Sequence, residues 1–260
     1  MNRDAIHREL DRWHARGRRA TLWLRDDDAC RDSAELRRLL ALANSHEAPV
    51  AIAAIPASLD ATLVDAIERC PQATIVQHGY AHRNHAATGE GSAELGDDRD
   101  VHARLDELAR GRERFSGAFG DRFVPILVPP WNRAGEQLLP HLGSTGFVGL
   151  SRFGARATRE AAPGVAQVNA HVDAIAWRRD RRFIGEDAAI ERIVAHLSAR
   201  REGACDASEP TGFLMHHLVF DESAFDFVDM LLDATRAHPA AEWLDVAQCF
   251  GIERAATSPR

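Results

Sequence analysis

The 260 residues are 45% hydrophobic and 27% charged, with a formal net charge of -7 and a pI near 6.0. These values exclude disordered, collagen-like and membrane-embedded classes. The acidic balance argues against nucleic acid as the main partner, because neutralising phosphates needs a basic face.

The length suits one sizeable α/β domain, taken here as residues 1–260. No apolar run approaches the roughly 18 residues of a membrane span. The opening stretch carries charges where a signal peptide needs an apolar core, so the expected location is cytoplasmic. Cys30, Cys70, Cys205 and Cys249 are far apart and show no CxxC spacing, which reads as reduced thiols rather than a zinc ribbon or a disulfide framework.

Residues 1–17 place Ile6, Leu10 and Trp13 at helical spacing among Arg3, Arg8, Arg12 and Arg16, with Gly17 as a stop. The pattern predicts an amphipathic helix packed on the body. Strands are predicted at 20–25, 49–55, 73–77, 124–128, 146–150, 165–169 and 212–215, near-continuous apolar runs that suit burial on both faces. Helices are predicted at 33–44, 59–70, 101–115, 134–141, 186–200 and 222–238, several opened by Asp or Ser caps. Such alternation builds a parallel sheet with covering helices, either closed as a barrel or open and doubly wound.

The polar clusters share one phase. Asp26, Asp27 and Asp28 follow the first strand, His78 the third, Pro129-Pro130-Trp131 the fourth, and His216-His217 the last. In parallel α/β folds the carboxyl ends of strands gather on one face, where ligands bind. His78 and His82, four apart, share a side if they lie on a helical turn, and a nearby carboxylate would complete a two-His-one-carboxylate site. That set suits Zn²⁺, and also Co²⁺, Ni²⁺ or Fe²⁺. Each cluster alone also reads as surface or capping residues, but three adjacent carboxylates repel one another and a bound cation holds them together.

These residues resemble the polysaccharide deacetylases of the NodB-homology type, through five ordered motifs that span most of the chain. Arg25-Asp26-Asp27-Asp28-Ala29 resembles the first motif, with a base followed by a metal ligand. One register gives Asp27 as base and Asp28 as ligand; the other uses Asp26 and Asp27. His78-Gly79-Tyr80-Ala81-His82 resembles the second motif, Pro129-Pro130-Trp131 the third, Asp173 with Trp177 the fourth, and Leu214-Met215-His216 the fifth. The arginine that precedes the Pro-Pro pair in the family is Val128 here, leaving Arg25 or Arg133 to take its place.

The resemblance implies a distorted (β/α) barrel with parallel strands and outer helices, and one divalent ion, Zn²⁺ first among the candidates, on Asp28, His78 and His82. It implies that Asp27 and His216 are the catalytic base and acid, and that Pro129, Pro130, Trp131, Arg25, Asp173 and Trp177 serve substrate binding. Trp131 also reads as core, Asp173 as a turn residue, and His85 and His217 as supporting or structural. The implied reaction is removal of N-acetyl groups from a sugar or glycan precursor. Without an export signal, the expected substrate is a short nucleotide- or lipid-linked sugar. Another metal-dependent amidase, or a sugar-binding relative without the chemistry, are the alternatives.

Overall fold

The structure, a computed structural model, describes residues 3–253. In chain order its elements are α1 (Arg3–His14), β1 (Ala20–Ala29), α2 (Ala34–Ser45), β2 (Val50–Ala54), α3 (Ala61–Glu68), β3 (Ala73–His78), α4 (Val101–Phe119), β4 (Phe123–Val128), β5 (Gly149–Leu150), β6 (Glu160–Ala162), β7 (Val165–Gln167), β8 (Val172–Asp173), α5 (Glu186–Glu202), β9 (Thr211–Met215), α6 (Glu222–Arg236), β10 (Ala241–Trp243) and α7 (Val246–Cys249).

Local chemistry sets the helix starts. The Ser33 hydroxyl accepts the Leu36 N–H at α2, and the carboxylates of Asp60, Asp100 and Asp221 cap α3, α4 and α6 in the same way. Leu36, Leu39, Leu40 and Ala43 then form the stripe that α2 buries. The N-terminal helix buries Ile6, Leu10 and Trp13, with residues 1 and 2 of its expected span outside the described residues, as are 254–260 of the expected domain.

The sheet order is β6-β7-β5-β4-β3-β2-β1-β9-β8, with β10 paired to the start of β1; only the β6–β7 pair is antiparallel. The ladder is not a complete ring. The end strand β8 and β7, next to the other end, are successive pieces of one stretch, however, and that stretch bonds to both neighbours. Val168 and Ala170 donate to Leu150 and Arg152, and His171 and Ala174 donate to Gly212 and Leu214. The result is the expected α/β fold, a distorted barrel with mostly parallel staves.

Two apolar layers follow from strand alternation. Leu22 and Leu24 of β1 face the helices, whereas Trp23 points into the barrel with Ala51, Ala53, Val76, Ile126 and Val128. The same alternation puts Arg25 and Asp27 on the inner side and Asp26 on the helix side.

Three expectations are corrected. The segment 134–141 is not a helix: Gly135 and Pro140 interrupt it, and only short 3₁₀ turns form at Leu139–His141 and Gly143–Thr145. The first strand does not stop at residue 25 but runs through the three aspartates to Ala29. The pieces at 146–150 and 165–169 are shorter than expected, at Gly149–Leu150 and Val165–Gln167.

Candidate active site

The carboxyl end of β1 carries the acidic cluster, and a local irregularity sorts it. Pairing with β2 slips between Asp26 and Ala29, and Asp28 adopts φ +77. Strict alternation would send Asp28 outward with Asp26; the irregularity turns it onto the cleft beside Asp27. Asp26 stays on the helix side, where Oδ2 lies 2.5 Å from His217 Nδ1 and Oδ1 accepts the His217 N–H at 2.9 Å.

His78 ends β3, and His82 follows after a tight turn rather than a helical one, so the spacing of the pair does not come from a helix. Gly79 and His82 both have positive φ. A Cβ on Gly79 would lie 2.0 Å from Glu94 Oε2 and 2.6 Å from Pro130 Cδ, so glycine is required there. The buried Glu94 carboxylate accepts the N–H groups of Tyr80 (3.1 Å) and Ala81 (2.7 Å) and pins the turn.

Asp28 Oδ1 lies 3.1 Å from His78 Nε2 and 3.2 Å from His82 Nε2, and the donor atoms of the three residues all fall within 4.8 Å of one another. Although these distances are short, the buried Asp28 Oδ1 makes no hydrogen bond of acceptable geometry among the described residues. The converging ligand atoms of Asp28, His78 and His82 could hold a divalent cation. His78 Nδ1 sits 3.0 Å from the Val128 carbonyl, which fixes the Nδ1–H tautomer and leaves Nε2 free to ligate. Burial opposes charge on Asp28, but His78 and His82 outweigh it and hold the carboxyl well below the usual range. Burial likewise opposes charge on His78, and Asp27 and Asp28 together raise its pKa.

Asp27 is held by Arg25. Nε lies 3.0 Å from Oδ1 and Nη2 donates to Oδ2 at 3.0 Å. Arg25 also donates to Asn132 Oδ1, Ser151 Oγ and the Arg152 carbonyl, so this buried guanidinium is tied to two further segments. Of the two arginines expected to replace the missing one at Val128, Arg25 meets Asp27, while Arg133 donates to the Ser92 carbonyl. Arg25 is fully buried and does not line the cleft; its contacts are with Asp27, Asn132, Ser151 and Arg152.

His216 follows β9 and packs edge-on against Trp177 at 4.7 Å, its Nδ1 buried without a hydrogen-bond partner among the described residues. Trp177 Nε1 donates to Asp173 Oδ2 at 2.9 Å, and burial raises the Asp173 pKa. The Asp173–Trp177 pair is therefore a direct contact, and among the described residues no hydrogen bond joins Asp173 to His216. Pro129 and Pro130 are buried beneath the His78–His82 turn and do not line the cleft; Trp131 turns outward, with φ +54, to lie 4.4 Å from the His82 ring. His85 sits in an exposed loop, and its backbone donates to Ala93.

The cleft has a volume of about 550 Å³ and brings together Asp27, Asp28, His78, His82, Trp131, Asp173, Trp177 and His216. Among the described residues six other than glycine have positive φ, and five of them line it: Asp28, His82, Trp131, Asn132 and Arg181. Such conformations cost about 1–3 kcal/mol each and concentrate where geometry serves function. A larger groove of about 810 Å³ along α4 is open surface between charged side chains and holds no converging ligand atoms. Sequence reading missed Glu94, Asn132, Phe153 and Arg181. Glu94, Phe153 and Arg181 lie outside helices and strands and Asn132 ends a short 3₁₀ turn, where no periodicity marks them.

No protein-family model and no curated protein matches the chain. Solved structures do. A Mycobacterium smegmatis protein assigned as a polysaccharide deacetylase matches with a TM-score of 0.64 at 15% identity, over 94% of this chain and 96% of that one. The peptidoglycan deacetylase PdaC of Bacillus subtilis matches with a TM-score of 0.56 at 12% identity, over 89% and 90%. The chain has the polysaccharide deacetylase fold. A family 4 acetyl xylan esterase from Clostridium thermocellum, solved with a cobalt ion, shares this deacetylase fold with a TM-score of 0.52 at 14% identity, over 90% and 93%.

Proposed function

We propose that the chain is a metal-dependent hydrolase that removes N-acetyl groups from a sugar substrate. The observation that carries this reading is the convergence of Asp28, His78 and His82 around an Asp28 oxygen that lacks a hydrogen bond, in a cleft that also holds Asp27 and His216. The polysaccharide and peptidoglycan deacetylases among the structural neighbours, and the cobalt ion of the acetyl xylan esterase, support it.

Asp28, His78 and His82 would hold a divalent ion, Zn²⁺ first or Co²⁺, Ni²⁺ or Fe²⁺, which would polarise the acetamido carbonyl and lower the pKa of the attacking water. Asp27 takes the proton of that water as oxygen adds to the carbonyl carbon. Arg25 offsets the burial of Asp27 and fixes its orientation. His216 delivers a proton to the sugar nitrogen as the C–N bond breaks, leaving acetate and a free amine. Trp131, Trp177 and Phe153, each more than a third exposed, give sugar rings flat faces to stack on.

The test is acetate release from N-acetylated sugars by metal-loaded protein and by Asp27→Asn. Release by wild type and its loss in a variant that still binds metal supports the assignment. Hydrolysis of non-sugar amides alone would move it to another metal-dependent amidase.

A further inference from the structure

Two arginines in the cleft have no acidic partner. The three carboxylates that line the cleft each face another group: Asp27 faces Arg25, Asp28 the two imidazoles and Asp173 the Trp177 indole. Arg133 and Arg181 line the same cleft, and among the described residues neither forms an ion pair.

Both are held in place by backbone. Arg133 donates to the Ser92 carbonyl at 3.1 Å, and a Cβ on Gly91 would lie 1.9 Å from its Nη1, so the guanidinium is seated against segment 91–92. Arg181 lies on a hairpin closed by the Ile175–Phe183 bridge and by the Ala176 N–H to Arg182 carbonyl bond at 2.9 Å. Its own N–H donates to Ala176 at 3.2 Å, and its φ is +56. The same hairpin presents Trp177 beside His216, and both line the cleft with Arg181.

A protein with a net charge of -7 repels anions at long range, yet the uncommitted charge in this cleft is cationic. Guanidinium groups match the oxygens of phosphate or carboxylate. We propose that Arg133 and Arg181 form an oxyanion subsite on the cleft wall, and that the substrate is an N-acetylated sugar carrying a phosphate or carboxylate group. The proposal rests on the deacetylase reading and names the class of sugar it acts on.

The test compares kcat and KM of the metal-loaded protein on an N-acetylhexosamine 1-phosphate, a nucleoside diphosphate N-acetylhexosamine, an N-acetylated sugar acid and an uncharged N-acetylhexosamine oligomer. Wild type is set against Arg181→Gln, Arg133→Gln and the corresponding lysine variants, at low and high salt. The expected result is a preference for anionic substrates and a KM for them that rises about tenfold per lost arginine. Uncharged substrate is unaffected, and high salt narrows the gap. The ranking of phosphate against carboxylate identifies the source of the anion. Equal use of charged and uncharged sugars, or variants that change both alike, would overturn the subsite and leave the deacetylase reading standing. Turnover of no substrate would remove that reading. The subsite is then judged by calorimetric binding of inorganic pyrophosphate to metal-free protein, where binding weakened in the glutamine variants upholds it and unchanged or absent binding rejects it.

Discussion

The guanidinium of Arg25 and the carboxylate of Asp27, two residues apart on one strand, face the barrel interior together and meet through two contacts of 3.0 Å. Val128 occupies the position where the resembling family carries its arginine, so the positive charge reaches Asp27 from the first strand instead of the fourth.

Arg25→Met leaves a buried carboxylate unpaired, which costs on the order of 3–5 kcal/mol. Metal binding through Asp28, His78 and His82 survives in the folded fraction, while kcat falls about a hundredfold because the base is misoriented. Arg25→Lys restores charge but not the two-point contact, and recovers little of the rate. Urea unfolding, metal analysis and kcat measured side by side check this; a lysine variant with wild-type kcat would contradict it.

The roles of the three aspartates separate by their partners. Asp28→Asn is expected to lose the metal, Asp27→Asn to keep it and lose turnover by about a thousandfold or more, and Asp26→Asn to keep both while losing stability through His217. Metal content, acetate release and thermal unfolding of the three variants read these roles. Loss of turnover with retained metal in Asp26→Asn alone would select the other register.

Glu94 touches none of the reacting groups, yet it holds the turn that carries both histidines. Glu94→Ala is expected to weaken metal affinity by about 10–100-fold. Glu94→Gln keeps one acceptor and falls between. Competition against a chelator measures this, and an unchanged affinity in Glu94→Ala would remove Glu94 from the site.

Far from the cleft, His171 and His196 stack at 3.6 Å, and His196 Nδ1 meets Thr211 Oγ1 at 2.9 Å. Burial lowers both pKa values, that of His196 to about 3 from an ordinary 6.5. A depressed folded-state pKa means that the unfolded chain binds more protons below pH 6.5. The stabilisation is therefore complete above that pH and is lost as pH falls toward 3, by up to about 1.4 kcal/mol per pH unit for His196. Urea unfolding between pH 7.5 and about pH 4 should show a steeper loss in wild type than in His196→Gln. Parallel curves would dismiss the effect.

The strand-end phase of the polar clusters was legible because each follows an apolar run, and period two carries that information directly. The division of labour among Asp26, Asp27 and Asp28 was not. It depends on a left-handed residue and a register slip at Asp28, which break the alternation that a sequence shows. The HxxxH spacing suggested a helical turn, whereas Gly79, Glu94 and Pro130 build a loop that brings the same two rings together by other means. Glu94, Phe153 and Arg181 were invisible because their loops become neighbours of the site only when the barrel forms. Residues 134–141 looked helical on apolar content, but Gly135 and Pro140 decided otherwise.

The central claim is tested most directly by acetate release from N-acetylated sugars, measured as metal-free protein is titrated with Zn²⁺ or Co²⁺. Release is expected to appear with added metal and to saturate near one equivalent per chain, and to be absent at every metal concentration in His78→Ala and His82→Ala. Release that is independent of metal, or that persists in those variants, would contradict the account, as would a protein that takes up one equivalent and frees no acetate from any sugar tested.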